Sequence, residues 1–294
     1  MGLTIGVDIG GTKILAGVVD ENGAILDRVK IATPRNSEQT AAAIAQAAQS
    51  VRKDYPVEAV GLGAAGFISA DRATVLVAPN MSWHDEPLKA NIEALIDLPV
   101  VVENDANAAA LAEQWKGAAT GTGDVVFVLA GLSPGAGALI GGRLHRGFMG
   151  AAGEIGALHL LGREAAPEHL LSTTGTPLHP LDETAVARVF ALARQGDPQA
   201  VEAVDRFLRR LVHDVAALVL AMDPELVVVG GWAAGLDGVL DPLRERLARY
   251  CLIPPKVTLS ALGPEAIATG ALRLALDHVE EQLFAVERTS LPHM

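Results

Sequence analysis

The stretch Pro99-Val100-Val101-Val102-Glu103-Asn104-Asp105-Ala106-Asn107-Ala108-Ala109-Ala110-Leu111-Ala112 constrains the fold more than any other part of the chain. Four apolar residues in a row suit a strand buried on both faces, which is how strands of parallel sheets read. Three polar residues then hand over to an Ala-rich helix. Open sheets of that kind bind their ligands at the carboxyl ends of their strands, and Asp105 stands at such an end. Locally, Asn104 or Asp105 reads as a helix cap, since a short polar side chain accepts the free amides of a first turn. Whether Asp105 also carries chemistry depends on the rest of the chain.

Composition closes off several classes. Of 294 residues, half are apolar and only 4% aromatic, so a sizeable core of Ala, Val, Leu and Ile is expected. The net charge of −12 and the absence of any Lys/Arg run argue against a nucleic-acid partner, which needs a basic face. Cys251 is the sole cysteine, which excludes an intramolecular disulfide and a Cys-rich zinc site. The N-terminus lacks the basic and apolar regions of a signal peptide. No run approaches the ~20 apolar residues of a membrane span, and 215–222 is too short. A soluble, cytoplasmic protein without a membrane partner is expected.

Taken in order, strands are predicted at 3–7, 14–19 and 24–31, with the turn Asp20-Glu21-Asn22-Gly23 before the third. A helix opening at Ser37 or Glu38 runs to about 53, and a buried strand covers 57–65, closed by Gly66. An extended region at 68–77 ends in the loop Ala78-Pro79-Asn80. Helix 86–96, strand 98–102 and helix 106–115 follow. The Gly/Thr/Ala stretch 117–123 marks a domain boundary. Strands return at 124–129, 137–140, 157–161, 226–229 and 257–260, with helices at 183–194, 198–222, 238–250 and 265–283. Residues 287–294 lack a pattern and are expected to fray. Two halves that each begin with strands and finish as alternating β and α read as an α/β chain of two related lobes with a cleft between them.

The glycine excess, 30 residues, gathers in short clusters. Asp8-Ile9-Gly10-Gly11-Thr12-Lys13 joins the first two strands. It reads either as an ordinary hairpin turn or as a phosphate cradle, in which Gly10 and Gly11 bring backbone N–H groups close and Thr12 adds a donor. In the second case Asp8 would hold Mg²⁺ through water, because magnesium gives up its hydration shell reluctantly. It is not a Walker loop, which needs Gly-x-x-x-x-Gly-Lys before a helix. Gly131-Leu132-Ser133-Pro134-Gly135-Ala136-Gly137 repeats the arrangement after the first strand of the second half. Gly230-Gly231-Trp232-Ala233-Ala234-Gly235 lies between a buried strand and a helix, either as a plain turn or as the rest for a nucleotide.

These pieces resemble the ROK family of sugar kinases and sugar-responsive repressors, within the two-lobed actin-like ATPase (ribonuclease H-like) fold. The resemblance covers nearly the whole chain. It rests on Asp8 to Lys13, Glu103-Asn104-Asp105-Ala106-Asn107, Gly142-Arg143-Leu144-His145-Arg146-Gly147, Gly150-Ala151-Ala152-Gly153-Glu154-Ile155-Gly156 and residues 226–231. It implies an ATP- and magnesium-dependent hexose kinase, most like glucokinase, with Asp105 as the general base. Asn104 and Glu154 would bind the sugar's other hydroxyls, with Gly66 and Asn80 nearby. Asp8, Gly10, Gly11, Thr12 and Lys13 match the magnesium and γ-phosphate positions. Gly131, Ser133 and Gly135 match the second phosphate turn, and Gly230, Gly231 and Gly235 the adenosine turn. The N-terminal lobe would span 1–116, completed by a last helix at about 269–283, and the C-terminal lobe 117–268. A homodimer is implied by the resemblance alone.

The chain also departs from the family pattern. The structural zinc segment has no cysteines at 162–183, and Ala157 stands where its histidine belongs. No zinc is expected, and His159, His169 and His179, ten residues apart, are read as solvated. The glutamate that usually follows the last cysteine has no counterpart. In the second phosphate turn Ser133 replaces the usual threonine one residue off, and Pro134 removes a backbone donor. Trp232 replaces a glycine of the adenosine turn and either packs beside it or lies against the nucleotide. Two alternatives stand beside the kinase: a catalytically weak sugar-binding sensor, favoured by the departures, and a kinase using polyphosphate, disfavoured by the acidic composition.

Overall fold

The computed structural model describes residues 3–20, 24–34, 36–53, 55–78, 81, 83–130, 134–156 and 183–290. The chain divides into two compact units. The first holds Met1–Trp115, Arg146–Ala151 and Glu265–Met294; the second holds Lys116–His145 and Ala152–Pro264.

The first unit is built on strands β1 (Leu3–Ile9), β2 (Lys13–Val19), β3 (Ile25–Ala32), β4 (Val57–Ala64), β5 (Phe67–Ile68), β6 (Val75–Ala78), β7 (Trp83–Glu86) and β8 (Val100–Asn104). Its helices are α1 (Ser37–Arg52), α2 (Leu88–Ile96) and α3 (Asp105–Lys116), and the sheet order is β3-β2-β1-β4-β8. The first three strands form an antiparallel meander, while β4 and β8 add in parallel to β1. Ile5, Val7, Ile9, Leu62, Val100 and Val102 are fully buried, so the central strands need apolar residues throughout. Edge strand β3 alternates exposed with half-buried positions near its end.

In the second unit β9 (Val125–Ala130), β10 (Gly135–Ile140), β11 (Arg143–Leu144), β12 (Leu226–Gly231) and β13 (Lys256–Leu259) take the order β11-β10-β9-β12-β13. Here too a three-stranded meander is extended by two parallel strands. Both sheets therefore have one connectivity, the duplicated plan of the actin-like ATPase fold. Helices α4 (Glu183–Arg194), α5 (Pro198–Met222) and α6 (Leu240–Leu247) belong to this unit, and α7 (Ala266–Ser290) returns to the first. α5 starts where Asp197 accepts the Ala200 amide at 2.9 Å with Pro198 as first residue. It ends on Asp223 in the left-handed region.

The approach of α7 to the sheet explains its small residues. A Cβ on Gly6 would lie 2.1 Å from the Ala268 carbonyl oxygen, one on Gly61 1.7 Å from that of Ala271, and one on Gly270 1.7 Å from that of Ala108. Backbone meets backbone at all three, and no side chain fits.

Several element bounds differ from expectation. β1 runs on to Ile9, so Asp8 is a sheet residue paired with Leu15 and Gly63 rather than part of the turn. β8 continues through Glu103 and Asn104, two polar residues past the expected end. α1 opens at Ser37 as expected, capped by Asn36, which accepts the Gln39 amide at 3.2 Å. The region 68–77 is two short strands with a turn between them, and Glu86 ends a strand paired to β6. Pro87 then keeps the helix from starting before Leu88. Instead of fraying at 287, α7 stays helical to Ser290, with neither Pro nor Gly between Ala271 and Ser290. Gly238, at φ 85°, precedes a helix shorter than the expected 238–250. The turn at 21–23, the strand at 157–161, Ala157, the segment 162–182 with its histidines, and residues 291–294 lie outside the described residues.

Candidate active site

The junction of β8 and α3 is the best-defined polar centre of the first unit. Asn104 Oδ1 accepts the backbone N–H groups of Ala106 at 2.9 Å and Asn107 at 3.1 Å, while its Nδ2 donates to the Gly66 carbonyl at 3.1 Å. Asn104 is thus the cap of α3 and is tied to the turn after β4. Gly66 has φ 111°, and a Cβ there would sit 2.5 Å from the Val77 carbonyl oxygen, so only glycine serves. Asp105 is the first residue of α3, and its Oδ1 accepts the Ala106 amide at 2.8 Å. With the cap supplied by Asn104, the Asp105 carboxylate is not needed to end the helix.

Burial pushes the Asp105 carboxyl up to about 6, while hydrogen bonds from the Ala106 and Asp105 amides and from the Asn104 side chain pull the other way. Asp8, on β1, is pushed up to about 7 by burial; Lys13 lowers it, and the Asp105 charge raises it further. A divalent cation beside Asp8 would relieve the cost that burial and the Asp105 charge impose on its ionisation. Among the described residues no three or more His, Cys, Asp or Glu converge on one point. A cation here would draw on one or two carboxylates, water and substrate oxygens, which fits magnesium.

The turn between β1 and β2 is braced from the end of β3. Gly10 donates to the Lys13 carbonyl at 3.0 Å, Thr33 Oγ1 donates to the Gly10 carbonyl at 2.6 Å, and the Thr33 amide donates to the Thr12 carbonyl at 3.1 Å. Neither Gly10 nor Gly11 has a positive φ. A Cβ on Gly10 would meet the Lys13 oxygen only at 3.4 Å, at the edge of ordinary contact. The fold itself scarcely demands glycine at position 10. Lys13 opens β2, opposite Ala32.

The third glycine cluster has a different cause. A Cβ on Gly230 would strike the Phe127 ring at 2.2 Å, and Gly231, at φ 71°, would bring one to 2.5 Å from the Ala130 carbonyl. Sheet packing dictates both. Gly235 closes the short turn Trp232–Gly235 with nothing within 4 Å of an added Cβ. Trp232 packs against the core of the second unit, its ring 5.1 Å from that of Phe207, as the packing alternative had it. Gly135 is the first residue of β10, while Gly131 and Ser133, like Asn80, lie outside the described residues.

Glu154 follows Gly153, which is pinned to β10: its carbonyl accepts the Ala136 amide at 2.8 Å, and at φ 90° a Cβ would come 1.8 Å from the Ala136 oxygen. Glu154 therefore belongs to the second unit, whereas Asp8, Gly66, Asn104 and Asp105 belong to the first. Sequence reasoning assigned no task to Glu103 or Arg146, yet the two form a 2.6 Å ion pair, and Glu103 also accepts the Asn104 amide at 3.1 Å. A polar residue after a Val run reads as a strand end, and nothing local points to a partner 43 positions away.

The chain resembles known proteins over most of its length. A family model described as the ROK family matches residues 4–278. A glucokinase of Streptomyces coelicolor is 38% identical over 94% of this chain and 98% of its own length. An N-acetylmannosamine kinase of Yersinia pseudotuberculosis is 34% identical over 82% of this chain and 87% of its own. The crystal structure of a ROK family glucokinase from Streptomyces griseus, in complex with glucose and AMPPNP, superposes with a TM-score of 0.78 at 37% identity, covering 94% of this chain and all of that one.

Proposed function

The chain belongs to the ROK family, and from that premise we propose that it is an ATP-dependent, glucokinase-like kinase that transfers a phosphoryl group to a hexose hydroxyl. One observation carries the assignment: Asn104 takes over the capping of α3 and leaves Asp105 a part-buried carboxylate at the carboxyl end of a parallel strand.

Asp105 accepts the proton of the attacking sugar hydroxyl. That oxygen bonds to the γ-phosphorus of ATP, the bond to the bridging oxygen breaks, and ADP leaves with the electron pair. Phosphoryl transfer asks for positioning and charge neutralisation more than covalent chemistry, and a general base contributes roughly 10²–10⁴-fold. Asn104, Glu154, Gly66 and Asn80 orient the other sugar hydroxyls. The backbone at Gly10 and Gly11, with Thr12 and Lys13, receives the γ-phosphate; Gly131, Ser133 and Gly135 form the second phosphate turn, and Gly230, Gly231 and Gly235 the adenosine turn. Support for the first phosphate turn is Gly10, whose added Cβ would meet the Lys13 oxygen only at 3.4 Å. Asp8 would hold magnesium, through water, and the bound ion would neutralise phosphate charge. Its buried carboxylate, raised by Asp105, supports that role.

As functional lobes we take 1–116 with 269–283, and 117–268. A cytoplasmic homodimer without nucleic-acid or membrane partners completes the proposal. The net charge of −12 speaks against a nucleic-acid partner, among the described residues no helix is long and apolar enough to cross a membrane, and the homodimer rests on the family resemblance alone.

Incubation with glucose, ATP and magnesium, followed by mass spectrometry, tests the activity. A glucose phosphate formed one-for-one with ADP is expected. Binding of glucose or an amino sugar with no phosphorylated product from either would overturn the kinase in favour of a sensor.

A further inference from the structure

Glu103 has no part in the chemistry above, yet it is a carboxylate only 2% exposed inside a strand of valines. A charge so placed must be compensated. Its Oε1 accepts the Asn104 backbone N–H at 3.1 Å and Asn107 Nδ2 at 3.0 Å, and its Oε2 accepts Arg146 Nε at 2.6 Å. Two of these partners belong to the turn that carries Asp105. The third opens the segment Arg146–Ala151, which groups with the first unit although the chain on both sides of it belongs to the second.

That segment has a second anchor. Gly150, at φ 83°, packs so closely that a Cβ would lie 2.4 Å from the Ile68 carbonyl oxygen. Gly147, Gly150 and Gly153 all have positive φ, at 73°, 83° and 90°, so the path from Arg146 to Glu154 follows a backbone shape that side chains resist. A buried ion pair seldom repays its desolvation compared with apolar residues, so stability alone gives little reason to keep one here.

We propose that Glu103 and Arg146 are positioning residues for the sugar: their ion pair ties the first turn of α3, with Asn104 and Asp105, to the start of the segment that leads to Glu154. Neither touches substrate; each acts through the residues it holds. The sugar-affinity part of the proposal rests on the sugar-kinase assignment, whereas the structural tie does not.

Arg146→Ala breaks the pair, and the double variant Glu103→Gln/Arg146→Ala removes it without leaving a buried charge, should the single variant fail to fold. Hydrogen exchange by mass spectrometry is read over 104–110, 146–154 and, as a control, 198–222. Exchange about ten-fold faster over both of the first two and unchanged over the third is expected. Glucose titration is expected to show affinity weaker by about ten-fold, with the sugar KM raised to match, the ATP KM within about two-fold, and partial recovery of Arg146→Ala by millimolar methylguanidinium. Faster exchange over one segment only, or over neither, would overturn the tie, and sugar and ATP constants rising together would overturn the positioning role. A parent protein that binds glucose without turnover would count against the kinase alone, and exchange with glucose titration would still decide the pair. If the parent binds no glucose, the sugar-positioning role is overturned and exchange decides the tie.

Discussion

Asp105 is held where ionisation is costly, and the cost has a sign that can be read in a stability curve. Its carboxyl is raised from 3.8 to about 6 by burial. A raised carboxyl favours the fold while protonated, so this contribution is fully present below pH 3.8 and is lost as the pH rises through about 6. Above pH 7 the ionised group costs the metal-free protein about 3 kcal/mol. Asp105→Asn keeps an oxygen for the Ala106 amide and carries no charge. Urea unfolding without magnesium is expected to show the variant more stable than the parent at pH 8 by up to that amount, with the gap closing toward pH 4. A gap that widens toward pH 4 would refute the burial argument. The local sequence left a cap and a base both open at Asp105, because both want a short polar residue after a strand; only the bonds of Asn104 separate them. Glu103 was hidden for the opposite reason, since a polar residue in a buried strand is unexpected until its partner is seen.

At the scale of elements, the packing of α7 reverses a familiar rule. Replacing glycine by alanine inside a helix normally stabilises by about 1 kcal/mol. At Gly270 the added methyl would lie 1.7 Å from the Ala108 carbonyl oxygen. Gly270→Ala is therefore expected to lower stability by roughly 2 kcal/mol through overpacking, measured by urea unfolding; a rise would show that α7 sits further from α3 than described. For Trp232 the core position against Phe207 predicts that Trp232→Ala loses roughly 3 kcal/mol of stability while the KM for ATP changes less than about three-fold. A large rise in that KM with little loss of stability would instead put the indole on the nucleotide. Strands such as β1, β4 and β12 were legible in the sequence as runs of β-branched and small apolar residues. The ends of β1 and β8 were not, because Asp8, Glu103 and Asn104 continue a ladder with polar side chains that ordinarily stop one.

For the whole molecule, two sheets of one connectivity explain why the sequence reads as a restart after residue 123. Alternation of strand and helix carried that much, and the five motifs carried the family. Arg146–Ala151 was not legible as part of the first unit, since membership there depends on an ion pair and a glycine contact far away in sequence. The kinase proposal stands or falls with Asp105 as its base. Glucose-dependent ADP release and glucose binding, measured side by side on the parent and on Asp105→Asn, test it most directly. The predicted result is glucose affinity within a few-fold of the parent and turnover lower by ~10²-fold or more; turnover equal to the parent's would contradict it.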